Sequence, residues 1–181
     1  MRACGFHVNG WLRLTCRRGS YTGEMFETRL ATESDAELIT EQRRMMFAEM
    51  GRPEDERMRA MLVAFVPWVQ ERLRDGRYLG WMVEQTGRVV AGGGMYLMDF
   101  PPHFRDPQPL RAYLLNFYVA PEARGHGVAK SLLKTAVDEA RRRGIRVVSL
   151  HASEAGRPLY ERNGFAASNE MMLNLGHGGV G

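Results

Sequence analysis

Asn116-Phe117-Tyr118-Val119-Ala120-Pro121-Glu122-Ala123-Arg124-Gly125-His126-Gly127-Val128-Ala129-Lys130 is the stretch on which the reading of this 181-residue chain turns. Aromatic and β-branched residues close a strand predicted from Arg111 to Val119. Pro121 then blocks further pairing, and a glycine turn opens a helix predicted from Gly127 to Arg143. Two glycines without Cβ let the backbone approach a ligand closely, and the free N–H groups of a first helical turn form an anion cradle. Phosphate is the natural guest.

Two common phosphate motifs are excluded by spelling. Walker A would need glycine at 124 and 129 ahead of Lys130-Ser131, where Arg124 and Ala129 stand; a dinucleotide fingerprint would need glycine at 130, where lysine stands. The pattern Arg/Gln-x-x-Gly-x-Gly/Ala does fit, filled by Arg124, Gly127 and Ala129 with Gly125 in addition.

Outward from that turn, the helix shows one apolar face of Val128, Leu132, Leu133, Ala136, Val137 and Ala140, and Gly144 closes it. Ile145–His151 reads as a buried strand, Gly156–Arg162 as a short helix and Phe165–Leu175 as a last strand. Upstream, 25–30 alternates like a strand. Ser34 and Glu37 spell a capping box for a helix through Ala48, and Pro53 with Glu54, Asp55 and Glu56 suits the first turn of a second helix. That second helix runs toward Arg74, and Pro67 is expected to kink it. Tyr78–Gln85 and Val89–Met98 flank Thr86-Gly87-Arg88 as a hairpin with a three-residue connection. Asp99–Pro109 is a loop. The order β-α-α-β-β-β-α-β-α-β predicts an α/β fold of the mixed α+β kind, a sheet covered by helices with one β-α-β crossover.

The size suits one domain, 25–175, with 176–181 a floppy tail. The net charge of +4 sits mostly at the front: residues 1–24 carry four arginines against Glu24, and the remainder has 21 basic to 20 acidic residues. Such a balance argues against a nucleic-acid partner. The longest apolar run, Met61–Val69, is nine residues with Pro67 inside, against roughly 18 to 20 for a membrane span, so no membrane partner is expected. Cys4 and Cys16 both lie in the front segment, leaving the body no disulfide or thiolate metal site; a cytoplasmic setting fits. Residues 1–24 show no sustained periodicity and no secretory pattern, and read as a disordered extension or an upstream reading of the coding sequence, with Met25 the start.

The glycine turn, together with Leu150-His151-Ala152-Ser153-Glu154-Ala155-Gly156-Arg157-Pro158-Leu159-Tyr160-Glu161-Arg162-Asn163-Gly164-Phe165 about 30 residues on, resembles the GNAT superfamily of acyl-CoA-dependent N-acetyltransferases. The likeness covers about residues 25–175. It implies a mixed, mostly antiparallel sheet of six to seven strands with about four helices, and a splayed strand pair that admits the pantetheine arm. By position, Phe117, Tyr118 and Val119 would offer backbone to that arm, and Arg124, Gly125, His126, Gly127, Val128 and Ala129 would bind the pyrophosphate of acetyl-CoA. Ser153, where many relatives have asparagine, would touch the coenzyme, and Tyr160 would be the general acid. No metal is implied, and a homodimer fits family habit. The acceptor implied is a small-molecule amine; protein or peptide amines, and a non-catalytic acyl-CoA sensor, are the rivals.

Some relatives carry a glutamate base on the strand that here holds Leu114, Leu115 and Asn116, so the base stays open among His151, Glu84, Asp99, a water chain, or an amine that enters neutral. Plainer readings stand beside these. His151 fits a packing histidine, and Gly92-Gly93-Gly94 fits a bulge, the close approach of a substrate or local flexibility. Arg141–Arg143 fits a solvated helix end. Met45, Met46, Met50, Met58 and Met61 fit core filler or an adaptable acceptor pocket. Glu41, Glu49 and Asp99 fit solvated charge or attraction for a cationic amine.

Overall fold

A computed structural model describes residues 26–104 and 106–173; the expectations for 1–24 and 176–181 lie outside them. The chain divides into two compact units, one ending at His151 and one beginning at Ala152. In the first unit, β1 (Phe26–Leu30) leads through a 3-10 turn (Glu33–Asp35) into α1 (Ala36–Glu49) and α2 (Glu56–Arg74). Then come β2 (Tyr78–Gln85), β3 (Arg88–Asp99), β4 (Leu110–Val119), a second 3-10 turn (Pro121–Ala123), α3 (Val128–Arg142) and β5 (Val148–Leu150). The five strands form one sheet in the order β1-β2-β3-β4-β5, antiparallel except for the last pair.

Local chemistry explains most boundaries. The capping box at the first helical entry is Thr32 with Asp35, not Ser34 with Glu37. Asp35 wins because its carboxylate takes the Thr32 N–H at 2.8 Å and both outer nitrogens of Arg29, at 2.9 and 2.8 Å, tying β1 to the helix entry. Asp55 caps α2 by accepting the N–H groups of Arg57 and Met58 at 3.0 and 3.1 Å. The hairpin connection is two residues, Thr86 and Gly87, both at positive φ, because Gln85 pairs directly with Arg88.

Alternation along the strands sets the layers. Tyr78 and Met82 join Ile39, Phe65 and Val69 in a core cluster between the sheet and the α1–α2 pair. Neighbouring residues alternate to the opposite face, where α3, with Val128, Leu132, Leu133, Ala136 and Ala140 buried, packs on β3 and β4.

Among the described residues five strands stand where six to seven were expected. Residues 165–173 form no strand, and Met171, Met172 and Leu173 are exposed; strand-forming residue types make a strand only when a neighbour completes the ladder. The strand expected over 145–151 shortens to three residues. Ile145 N–H is taken by Ala140 O at the end of α3, and Arg146 N–H by Asp106 at 3.2 Å, before pairing can begin. In the second unit α4 (Arg157–Glu161) is the helix expected near 156–162.

Candidate active site

β4 is the element from which the site is built. Its pairing with β5 covers only Ala112, Tyr113 and Leu114, opposite Val148, Ser149 and Leu150, so the strand runs on through Val119 without a β5 neighbour. That is the expected splay. On its other edge, β4 carries one extra residue: Gly94 pairs with Leu115 and Gly92 with Tyr118, leaving Asn116 and Phe117 opposite Gly93 alone. Asn116 takes a φ of 57°, rare outside glycine, and this β-bulge turns its side chain to the α1–α2 face, where strict alternation would put it on the other.

There Asn116 is buried and fully engaged. Its Oδ1 accepts from Arg43 Nη1 at 2.7 Å, and its Nδ2 donates to the Tyr78 hydroxyl at 3.0 Å. Burial pushes the Tyr78 phenol up to about 12, against smaller opposing effects of the Asn116 bond and the Arg43 charge. The three glycines facing the bulge are required by close approach. A Cβ at Gly94 would overlap the Tyr78 hydroxyl, one at Gly92 would overlap the Gln42 amide, and one at Gly93 would press on the Phe117 ring at 3.1 Å. Of the readings open for Gly92–Gly94, the bulge holds, and the close neighbours seen are the protein's own side chains.

Beyond the bulge the strand delivers the chain to the head of α3. Ala120 N–H closes the last bond to Val90 O at 2.8 Å, and Ala123, fully buried, anchors the 3-10 turn. Gly125 and Gly127 follow at φ 80° and 77°, a conformation that costs other residues about 1 kcal/mol or more. Gly127 is the N-cap. Its carbonyl takes Ser131 N–H at 3.0 Å, the first helical bond, so the amides of Val128, Ala129 and Lys130 precede the ladder. No side chain caps this end, and its first turn holds no acidic residue but does hold Lys130. Gly125, His126 and Gly127 are exposed, and a Cβ at either glycine would meet nothing within 4 Å. An open positive helix end is suited to a diphosphate.

Three of the sequence-predicted residues have further engagements. Arg124 donates from Nε to Val119 O at 2.9 Å and from Nη2 to both Glu49 oxygens at 2.6 and 2.7 Å, bracing the end of β4 against the end of α1. The His126 ring lies 5.8 Å from that of Phe26. Tyr118 is buried, and that burial raises its phenol above the ordinary range.

In the second unit, Ser153 Oγ accepts Gly156 N–H at 3.1 Å, and its carbonyl takes Arg157 N–H at 2.9 Å, so it shapes the entry to α4. Tyr160 stands on α4 with its ring 5.8 Å from that of Phe165, and burial raises its phenol pKa.

Among the open candidates for a base, Glu84 is held by Arg29 Nε at 2.6 Å, and His151 Nδ1 is in contact with the Tyr113 hydroxyl. Glu41 is paired with Arg44, whose hydrogen bonds hold its carboxyl below the usual range. Of the methionines, Met58 is buried, Met45, Met46 and Met61 are half-buried, and Met50 is 44% exposed. Sequence reasoning passed over Arg43, Gln42, Tyr78 and the bulge role of Asn116. The signal present was the glycine triplet, which marked a crowded place on β3 but not its neighbours.

A family profile described as acetyltransferase (GNAT) family matches residues 37–165. A crystal structure of a GCN5-related N-acetyltransferase from Ralstonia eutropha is 39% identical, with a TM-score of 0.80 over 83% of this chain and 98% of that one. A predicted acetyltransferase from Clostridium acetobutylicum, solved with acetyl-CoA, is 28% identical, with a TM-score of 0.77 over 83% and 97%. Among curated proteins, a glucosamine 6-phosphate N-acetyltransferase of Trypanosoma brucei brucei is 33% identical over 93 residues, 51% of this chain and 61% of that relative's length. A strand that outlasts its neighbour, an open glycine-turned helix head and a profile match spanning both point the same way: the chain belongs to the acetyltransferase (GNAT) family.

Proposed function

We propose that this protein is an N-acetyltransferase that moves an acetyl group from acetyl-CoA to the primary amine of a small molecule, and that residues 25–175 act as one domain. The observation that carries the reading is the open head of α3, with Gly125 and Gly127 in left-handed conformation at the end of a strand left unpaired by β5. Amides of Gly125 to Ala129 would hold the pyrophosphate, with Arg124 beside them, while the backbone of Phe117, Tyr118 and Val119 would meet the pantetheine arm as an added strand would. Ser153 would touch the coenzyme. The likeness to the trypanosomal glucosamine 6-phosphate N-acetyltransferase supports a small-molecule acceptor.

In the reaction the neutral amine attacks the thioester carbonyl, an N–C bond forms, the C–S bond breaks, and the amine loses a proton. Tyr160 would protonate the leaving sulfur. Burial raises its phenol pKa, so it holds its proton well above neutral pH. Glu84 is engaged by Arg29, and an amine that arrives neutral or loses its proton to water is the route taken in this reading. A non-catalytic acyl-CoA sensor is favoured by one observation, the buried amide of Asn116 on the strand where some relatives carry a glutamate.

Free-thiol release from acetyl-CoA across an amine panel separates the two: release supports the enzyme, and tight coenzyme binding without release on any amine supports the sensor. Gly127→Asp, which sets a negative side chain at the helix head and strains a φ of 77°, is expected to weaken calorimetric CoA binding by at least about a hundredfold. Unchanged affinity would show that the diphosphate binds elsewhere.

A further inference from the structure

We propose that Arg43 binds an anionic group of the acceptor, so that the amine acetylated by this protein carries a phosphate or carboxylate. The inference rests on the acetyl-transfer reading and adds to it the chemical class of the acceptor.

Arg43 lies on α1, against α2 and the β4 bulge. Its orientation is set from three sides: Nε donates to Met61 Sδ at 3.3 Å, Nη1 to Asn116 Oδ1 at 2.7 Å, and the guanidinium carbon sits 4.9 Å from the Phe47 ring centre and 4.6 Å from that of Phe65. A side chain already held in one geometry loses little freedom on binding.

Its charge is half-buried yet uncompensated. Among the described residues no carboxylate lies within ion-pair distance of Arg43, whereas the next residue, Arg44, is paired with both Glu41 and Glu54. The ionisable groups that face Arg43 are the phenols of Tyr78 and Tyr113, and burial lowers its pKa without making it neutral. A desolvated cation lacking a counter-charge is costly, and an anion supplied from outside offsets that cost.

Nη2 has no acceptor among the described residues, and Arg43 is half-buried rather than sealed. Its Nη2 donors belong to the planar fork that suits a phosphate or carboxylate. The place is telling as well. Asn116, which Arg43 grips, immediately precedes Phe117–Val119, the backbone proposed to meet the pantetheine arm, so an anion held here lies beside the strand assigned to the coenzyme.

The bland alternative is that Arg43 only braces the bulge, in which case its loss weakens every acceptor alike. The test uses matched pairs on CoA-saturated or acetyl-CoA-saturated protein: glucosamine 6-phosphate against glucosamine for phosphate, and an α-amino acid against its amide for carboxylate. Wild-type protein is expected to favour the anionic member of at least one pair by about tenfold or more in kcat/KM and in calorimetric affinity, and the arm that discriminates identifies the anion. In Arg43→Gln that ratio is expected to fall about ten- to a hundredfold, with Arg43→Lys retaining part of it. A wild-type ratio near one in both arms overturns the proposal whether or not the variants fold. So does a Gln variant in which both members weaken equally and the ratio survives. Arg43-dependent binding of an anionic amine without thiol release would keep the anion site and sink the acetyl-transfer reading instead.

Discussion

Asn116 lies just past the part of β4 that is paired on both edges, and its left-handed conformation carries the bulge against β3. The cost of that conformation is offset by two side-chain hydrogen bonds made in a buried setting. Asn116→Gly keeps the backbone and loses the bonds, and is expected to cost about 1–3 kcal/mol. Asn116→Val, β-branched, adds about 1–2 kcal/mol of strain; chemical denaturation of both variants measures the difference, and equal losses would mean the bulge relaxes freely. Tyr160 is the second residue with a sharp expectation. Tyr160→Phe should lower kcat by about a hundredfold or more while changing the Kd for CoA by less than about threefold, because the hydroxyl would act on the leaving sulfur rather than on binding. Stopped assays of thiol release beside calorimetry separate the two quantities.

At the scale of elements, α2 starts under a side-chain cap and α3 does not. Asp55 satisfies two amides at the head of α2, so Asp55→Ala is expected to cost about 1 kcal/mol, read as a lowered thermal midpoint with little effect on coenzyme affinity. At α3 no side chain caps the first amides, and the exposed Gly127 is the N-cap, the end to which the proposed function assigns a diphosphate. Helix and strand identities up to β4 could be anticipated because apolar periodicity and caps are written within a few residues of one another. The length of β5 and the lack of a strand over 165–173 could not, because a strand exists only with its partner, and the bonds that end α3 and hold Arg146 come from elsewhere in the chain.

For the molecule as a whole, acid stability should be governed in part by the link among β1, the first helical entry and β2. Burial alone would raise the Asp35 carboxyl, but hydrogen bonds from Arg29 and Thr32 outweigh it and hold the pKa below the usual range, while Glu84 shares the same guanidinium at 2.6 Å. A folded-state pKa below the unfolded one gives stability that is present above the unfolded value of about 4 and is lost as pH falls through the folded value. Denaturation midpoints measured between neutral and acid pH should therefore drop below about pH 4 in the wild type, and Asp35→Asn should flatten that limb. An unchanged slope would remove the pair from the account. The sequence by itself determined the strand, turn and helix around residue 125 and the family they belong to, because left-handed glycines, a blocking proline and an apolar helix face act over adjacent residues. Only the tertiary structure decided that Asn116 would bulge, that the glycine triplet would make room for Gln42, Phe117 and Tyr78, and that Arg43 would stand half-buried without a carboxylate partner among the described residues. Arg43 and Asn116 are 73 positions apart, and no local pattern records a contact that exists only once α1 has packed on the sheet.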